Sequence, residues 1–278
     1  MLPPDPLPVS LTRTSSRFSA CAVIPVYNHE HAIAAVVDGV KAHGLPVLLV
    51  DDGCNEACAR ELERLSATPG VKLLRHERNR GKGAAVATGL LAASEMGHSH
   101  ALQVDADGQH TLGDIDRFLE EAQEHPDSII CGCPLFDASI PRVRFYGRYL
   151  THGMVWFETL SFDIRDSMCG FRLYPLAAVQ PLLARGKVGE RMDFDTEILV
   201  RLHWREVSMR WVDTRVSYPS DGVSHYRMVL DNVGMVSLHV RLTLGMLLRL
   251  PMLLWRKVIS RRRTAQAGGQ GDEVVRHE

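Results

Sequence analysis

Residues 19–53 read SACAVIPVYNHEHAIAAVVDGVKAHGLPVLLVDDG, and their pattern sets the fold. Ser19–Val26 is a short apolar run that ends in Tyr27-Asn28. His31–Ala42 carries apolar residues at helical spacing. Pro46–Val50 is a second apolar run and stops abruptly at Asp51-Asp52-Gly53. Strands without polar alternation are buried on both faces, which is the signature of a parallel β-α-β unit.

The alternation continues outward. Glu56–Leu65 reads as a helix closed by Pro69-Gly70, and Val71–Leu74 as a strand. Gly83–Met96 is an Ala-rich helix, Ala101–Val104 a strand, Ile115–Gln123 a helix and Ser128–Cys131 a strand. This predicts an α/β chain with a mainly parallel sheet flanked by helices, its ligands beyond the carboxyl ends of the strands. Further on, Arg142–Leu160 and Asp193–Trp204 read as helices. Phe171–Tyr174 is a short extended piece, Val207–Val212 is strand-like, and Met228–Lys257 is a long apolar stretch with scattered His and Arg. The expected organisation is a flexible lead over 1–18, a catalytic domain over 19–225, an apolar and basic helical segment over 226–263, and a flexible tail over 264–278.

Bulk properties narrow the function. The chain has 278 residues and a formal net charge of -1, so no overall field attracts nucleic acid. The six cysteines, at 21, 54, 58, 131, 133 and 169, have no zinc-site spacing and read as reduced cytosolic thiols. Residues 1–18 lack the apolar core of an export signal.

Asp105-Ala106-Asp107 follows a buried strand. Two carboxylates on such a turn can converge on Mg²⁺ or Mn²⁺ and leave coordination positions for a diphosphate, with Gln109 and His110 close enough to add a bond. Asp52, ending another strand, can accept the imide N–H of uracil or the N–H groups of guanine. A plain turn with a Gly-enabled backbone is the simpler alternative. Arg78-Asn79-Arg80-Gly81-Lys82-Gly83 leads into a helix N-terminus, where glycines allow close approach and the helix end favours anions.

Ile24-Pro25-Val26-Tyr27-Asn28, Asp51-Asp52-Gly53, Asn79-x-Gly81-Lys82-Gly83 and Asp105-Ala106-Asp107-Gly108-Gln109-His110 occur in this order. Together with Asp166-Ser167-Met168-Cys169-Gly170-Phe171-Arg172 they resemble glycosyltransferase family 2, in particular its dolichol-phosphate mannosyltransferase-like branch. The resemblance covers roughly residues 20–220. It implies an A-type glycosyltransferase fold that binds a UDP- or GDP-sugar. Pro25, Tyr27, Asn28 and Asp52 would line the nucleoside pocket. Arg78 and Lys82 would flank the base or diphosphate. Asp105, Asp107 and Gln109 would hold the metal. Arg172 and one of Arg144 or Arg148 would meet an anionic acceptor.

The chemistry predicted is single-sugar transfer with inversion. A divalent metal plus Lys82 or Arg78 would neutralise the leaving diphosphate. A phosphate acceptor is already ionised and needs no base; a hydroxyl acceptor needs a carboxylate. Asp193, Asp195 and Glu197 are the candidates, with Asp193 taken first because 193 and 197 share a helix face and 195 points elsewhere. Val207-Ser208-Met209-Arg210-Trp211 has Val where processive relatives carry Gln of Gln-x-x-Arg-Trp, which argues against processivity. Leu242–Trp255, interrupted by Arg249 and Pro251, reads as too short and charged for a span. With the basic residues from Arg256 to Arg263, the longer stretch Met235–Trp255 suits an interfacial helix on the cytoplasmic face of the inner membrane. The expected acceptor is a lipid phosphate. A soluble or protein acceptor, and a non-catalytic sugar-nucleotide-binding scaffold, are the competing readings.

Overall fold

The structure is a computed structural model that describes residues 18–135, 142–186, 188–216 and 228–274, with side chains for all of these but 142–146, 228–231 and 260–274. Seven strands form one sheet: β1 (Ala20–Val26), β2 (Val47–Asp51), β3 (Val71–Arg75), β4 (His100–Gln103), β5 (Ile129–Leu135), β6 (Arg172–Pro175) and β7 (Met209–Arg215). Their order is β3-β2-β1-β4-β6-β5-β7. The helices are α1 (Ile33–Ala42), α2 (Glu56–Ser66), α3 (Lys82–Glu95), α4 (Ile115–Glu124), α5 (Arg142–Thr159), α6 (Leu176–Leu183), α7 (Phe194–Trp204) and α8 (Met228–Val274).

Alternate residues of each buried strand face opposite sides. Cys21 and Val23 of β1 join a core with α3, α6, α7 and α8, while Ala22, Ile24 and Val26 join a second core with α1, α2 and α4. The expected α/β architecture is present, and sheet neighbours are parallel except at β6. The chain winds from β1 through β2 to β3 on one side and returns to β4 on the other. That reversal leaves a crevice beyond the carboxyl ends of β1 and β4. Because β6 is antiparallel, its first residue, Arg172, pairs with Gln103 at the carboxyl end of β4. The segment 166–171 is thereby delivered to the same crevice.

Two expectations change. Helix α6 was not foreseen: its eight residues are nearly all apolar, contain Pro181, and lack a capping side chain, so they carry no helical signature. Helix α8 is not interrupted at Arg249 or Pro251. The Arg249 guanidinium turns back, donating to the Gly245 carbonyl at 3.0 Å and standing 4.8 Å from the Trp204 ring centre. Its charge is satisfied against the domain. Among the described residues, Asn232–Ile259 is the one helix long and apolar enough to cross a membrane, with 28 residues and mean hydropathy 1.4.

Candidate active site

The ends of β2 and β3 are locked together. Asp52 is buried and its Oδ1 pairs with His76 Nδ1 at 2.8 Å and accepts from the Arg80 N–H at 2.9 Å; its Oδ2 accepts from the Gly81 N–H at 2.8 Å. A carboxylate has about four lone-pair positions, so three protein donors leave room for about one from a nucleobase. His76 is itself held by Thr88 on α3 at 3.0 Å. Asp51 takes Arg75 Nε and the Cys54 N–H, each at 2.8 Å. Gly53 sits at φ +73, and a Cβ there would stand 2.4 Å from the Asn79 nitrogen, so the turn requires glycine.

Pro25 is buried within β1, and Tyr27 is half-buried just beyond it. Asn28 adopts a left-handed φ of 55 and accepts the Asn55 N–H at 2.7 Å, tying the end of β1 to the start of α2. Arg78 is exposed on the loop before α3. The glycines of Gly81-Lys82-Gly83 are required by packing within the chain. A Cβ at Gly81 would stand 2.5 Å from the Glu190 carbonyl, and one at Gly83 would stand 2.5 Å from Phe194 Cβ. The Ala84 N–H donates to that same carbonyl at 2.8 Å. Their lack of side chains lets the segment before α7 close over this loop.

Lys82 begins α3 and reaches the crevice. Its Nζ lies 2.8 Å from Asp105 Oδ1 and 2.9 Å from Asp195 Oδ2. Burial works against the ammonium, but the two carboxylates outweigh it and hold the Lys82 pKa above the usual lysine range. Burial likewise works against the Asp105 carboxylate, and Lys82 followed by His110 reverses this, holding it well below the usual carboxylate range. Asp195 Oδ1 accepts from Gln103 Nε2 at 3.0 Å, and Gln103 Oε1 accepts from the Tyr174 hydroxyl at 2.9 Å. Gln103 and Tyr174 are wholly buried.

The three candidate bases fall in different places. Asp193 and Glu197 do share a helix face, but that face turns to α8: Arg241 lies 3.5 Å from Asp193 Oδ2 and 3.1 Å from Glu197 Oε2. The carboxylate in the crevice is Asp195. Arg172, expected to meet an acceptor, is fully buried, donating to the Asp195 carbonyl at 2.5 Å and the Ser167 carbonyl at 2.8 Å. It supports the main chain behind the site and has no surface to offer a ligand. Arg148 Nε is paired with Asp166 at 2.5 Å; the Arg144 side chain lies outside the described ones.

Asp107 accepts the Gln109 N–H at 3.0 Å in a turn completed by Gly108 at φ +72. His110 stacks on Phe171 with ring centres 5.0 Å apart, and its Nε2 is 3.4 Å from Asp105 Oδ2. Asp105 Oδ1 is buried without a hydrogen-bonded partner, although the Lys82 ammonium stands close by, and His110 Nδ1 is buried without one as well. Among the described residues no three His, Cys, Asp or Glu side chains form a ready-made cage. Asp105 and Asp107 are two carboxylates on one turn, so a hard cation there would have to draw most of its ligands from a diphosphate and water, as Mg²⁺ commonly does.

A family model, Glycosyl transferase family 2, matches residues 21–176, more than half of the chain. The chain belongs to glycosyl transferase family 2. It is 31% identical over 221 residues to a dolichyl-phosphate beta-glucosyltransferase of Drosophila melanogaster, a match spanning 69% of this chain and 66%, just under two thirds, of the relative. It is 27% identical over 218 residues to a UDP-N-acetylglucosamine–dolichyl-phosphate N-acetylglucosaminyltransferase of Methanococcus voltae, covering 70% of this chain and 86% of that one. In fold it is similar to glucosyl-3-phosphoglycerate synthase of Mycobacterium tuberculosis, solved with Mn²⁺, UDP-glucose and phosphoglyceric acid, with TM-score 0.60 at 14% identity over 82% of this chain and 79% of that one. The fold is the A-type glycosyltransferase fold. The relatives carry glucosyl and N-acetylglucosaminyl names, so family membership is established without the mannosyl branch that the motifs suggested.

Proposed function

We propose that this chain is an inverting, metal-dependent, non-processive transferase that moves one sugar from a nucleotide-diphosphate donor to a lipid phosphate at a membrane surface. The observation that carries the reading is the Lys82 ammonium, anchored between Asp105 and Asp195 in the crevice at the sheet's reversal point. Breaking the bond from a sugar C1 to a diphosphate leaves negative charge on the departing oxygens, and a fixed cation there stabilises the transition state more than the ground state. When bound, a divalent metal supplies Lewis-acid neutralisation of the same charge. Asp105 and Asp107 would hold it, Lys82 would face the leaving phosphate, and exposed Arg78 would flank the nucleotide. A phosphate acceptor brings its own anionic oxygen, so attack on the opposite face of C1 needs no general base. This agrees with the commitment of Asp195, the buried carboxylate beside Lys82, to Lys82 and Gln103.

The names of the relatives favour a UDP-sugar of the gluco series over a mannosyl donor. The exposed apolar faces of α5 and α8 favour a lipid-borne acceptor met from the membrane surface, on the cytoplasmic side where nucleotide sugars are available.

A donor screen tests this. UDP-glucose, UDP-N-acetylglucosamine and GDP-mannose are incubated with Mn²⁺, Mg²⁺ or chelator, with and without a polyprenyl phosphate, and products are read by mass spectrometry. The expected result is metal-dependent nucleotide release from a UDP-sugar, accelerated by the lipid phosphate, with Asp107→Ala inactive. Release from no donor, or full activity in chelator, overturns the reading.

A further inference from the structure

We propose that Asp195 is a positioning residue that aims Lys82 at the leaving diphosphate and is not the general base of the reaction. The inference rests on the transfer reaction proposed above and assigns a role within it. Three observations carry it.

The first is that both oxygens of Asp195 are committed. Oδ2 faces the Lys82 ammonium at 2.9 Å and Oδ1 accepts from Gln103 Nε2 at 3.0 Å. Two donors leave the carboxylate about two further lone pairs, but Asp195 is only 5% exposed and its oxygens face Lys82 and Gln103, so it has almost no surface to offer the acceptor that a general base must reach. The second is the shell behind it. Gln103 is oriented by the Tyr174 hydroxyl at 2.9 Å, and the Asp195 carbonyl is held by the buried Arg172 guanidinium. The carboxylate thus has a fixed side-chain contact on one side and a fixed main chain on the other, which is how a supporting residue sets another group's position. Its place in the first turn of α7 also suits a negative charge.

The third observation is the asymmetry between the two carboxylates of Lys82. Asp105 is also the residue placed to hold a cation. If Asp105 were to hold a cation, it would be shared between that cation and Lys82, and Lys82 would depend more on its other anchor. Asp195 lies on a separate helix and is tied to Gln103, so it is that anchor. A lysine left with neither would be free to follow its flexible stem, and about 1 Å of misplacement at a reacting centre costs on the order of a hundredfold in rate.

The test is a double-mutant cycle read on donor turnover, with and without the lipid phosphate. Lys82→Met and Asp195→Asn are each expected to lower kcat about a hundredfold, in the range for loss of one preorganised donor, while the donor KM moves much less. The combined variant is expected to match Lys82→Met alone, because Asp195 acts only through Lys82. Losses that multiply show that Asp195 acts on its own, as a base would, and overturn the proposal; so does an Asp195→Asn enzyme of normal kcat.

Gln103→Met is the second series, and it decides if Asp195→Asn does not fold. It removes the amide behind Asp195 and alters nothing that faces the donor. It should lower kcat with Lys82 present and have no effect in the Lys82→Met background; an equal effect in both overturns the proposal. A readout without turnover comes from protein labelled with ¹⁵N-lysine. The wild-type Lys82 ammonium should give a slowly exchanging signal, identified by its absence in Lys82→Met and broadened in Gln103→Met. If no donor is turned over, the proposed reaction fails, while an unchanged ammonium signal in Gln103→Met would separately remove the anchor.

Discussion

Gly170 leaves no room for a side chain. A Cβ there would stand 2.8 Å from Lys82 Nζ, 2.9 Å from Asp105 Oδ2 and 2.9 Å from Gln103 Nε2. Of the three, the lysine end yields most easily, so Gly170→Ala is expected to fold and to displace Lys82. The predicted cost is about a hundredfold in kcat with a small change in melting temperature; a variant turning over at the wild-type rate would show that Lys82 is not held where it acts. Several of these residues were legible in the sequence and others were not. Asp105 and Lys82 stand at a strand end and a helix start, where the chain order itself locates a ligand crevice. Gln103 and Tyr174 sit inside strands and look like ordinary core positions until the antiparallel β6 brings them together. Asp195 was separated from Asp193 and Glu197 by helical geometry, correctly. Which face looks at the crevice, however, depends on Arg241 of α8, and no local pattern encodes that.

At the scale of elements, the first five strands and the helices between them could be read from apolar runs and their punctuation, because parallel strands are buried on both faces. The second half resisted, because an antiparallel insertion and the short apolar α6 leave no periodic signal. The turn at 166–171 depends on one buried carboxylate. Asp166 Oδ1 accepts the Met168 and Cys169 N–H groups at 2.9 and 2.8 Å, and Oδ2 pairs with Arg148 and lies 3.5 Å from His152. Burial alone would raise its pKa; His152 and Arg148 outweigh burial and hold it well below the usual carboxylate range. A depressed folded pKa means stability that is complete above the unfolded value, about 4, and is lost as pH falls through the folded value. Asp166→Asn keeps an acceptor for the backbone but removes the charge, and should destabilise by about 3 kcal/mol at neutral pH. In urea melts of both proteins the gap should be fully present at about pH 5 and narrow below about 4. A gap that stays constant to pH 2.5 would mean the charge is not what stabilises the turn.

For the whole molecule, the question is what α8 does with its two apolar faces. The inner face is core: Leu238, Leu242, Met246 and Leu253 are buried with α5 and α7, Arg241 reaches Glu197, and Arg256 donates to the Trp204 carbonyl. The outer face leaves Val240, Leu244, Leu247, Leu248 and Trp255 exposed, with Leu248 at 78%, and Leu150 and Phe157 of α5 and nearby Phe162 are also exposed. At 1.5 Å per residue, Asn232–Ile259 is about 42 Å long, ample for a bilayer core of about 30 Å. Crossing would nonetheless strip the inner face from the domain, so a helix lying along the membrane with its outer face buried is the arrangement that keeps both sets of contacts. Deleting α8 is a poor test, since it would uncover the core. Leu244→Glu with Leu248→Glu changes only exposed positions. Wild-type protein is expected to float with phosphatidylglycerol vesicles. The double variant should stay at the bottom of the gradient, with an unchanged melting temperature and unchanged nucleotide release in the absence of lipid, but with loss of the stimulation by a membrane-embedded acceptor. If the variant floats as well as wild type, the outer face of α8 is not the docking surface, and the apolar residues of α5 become the surface to test.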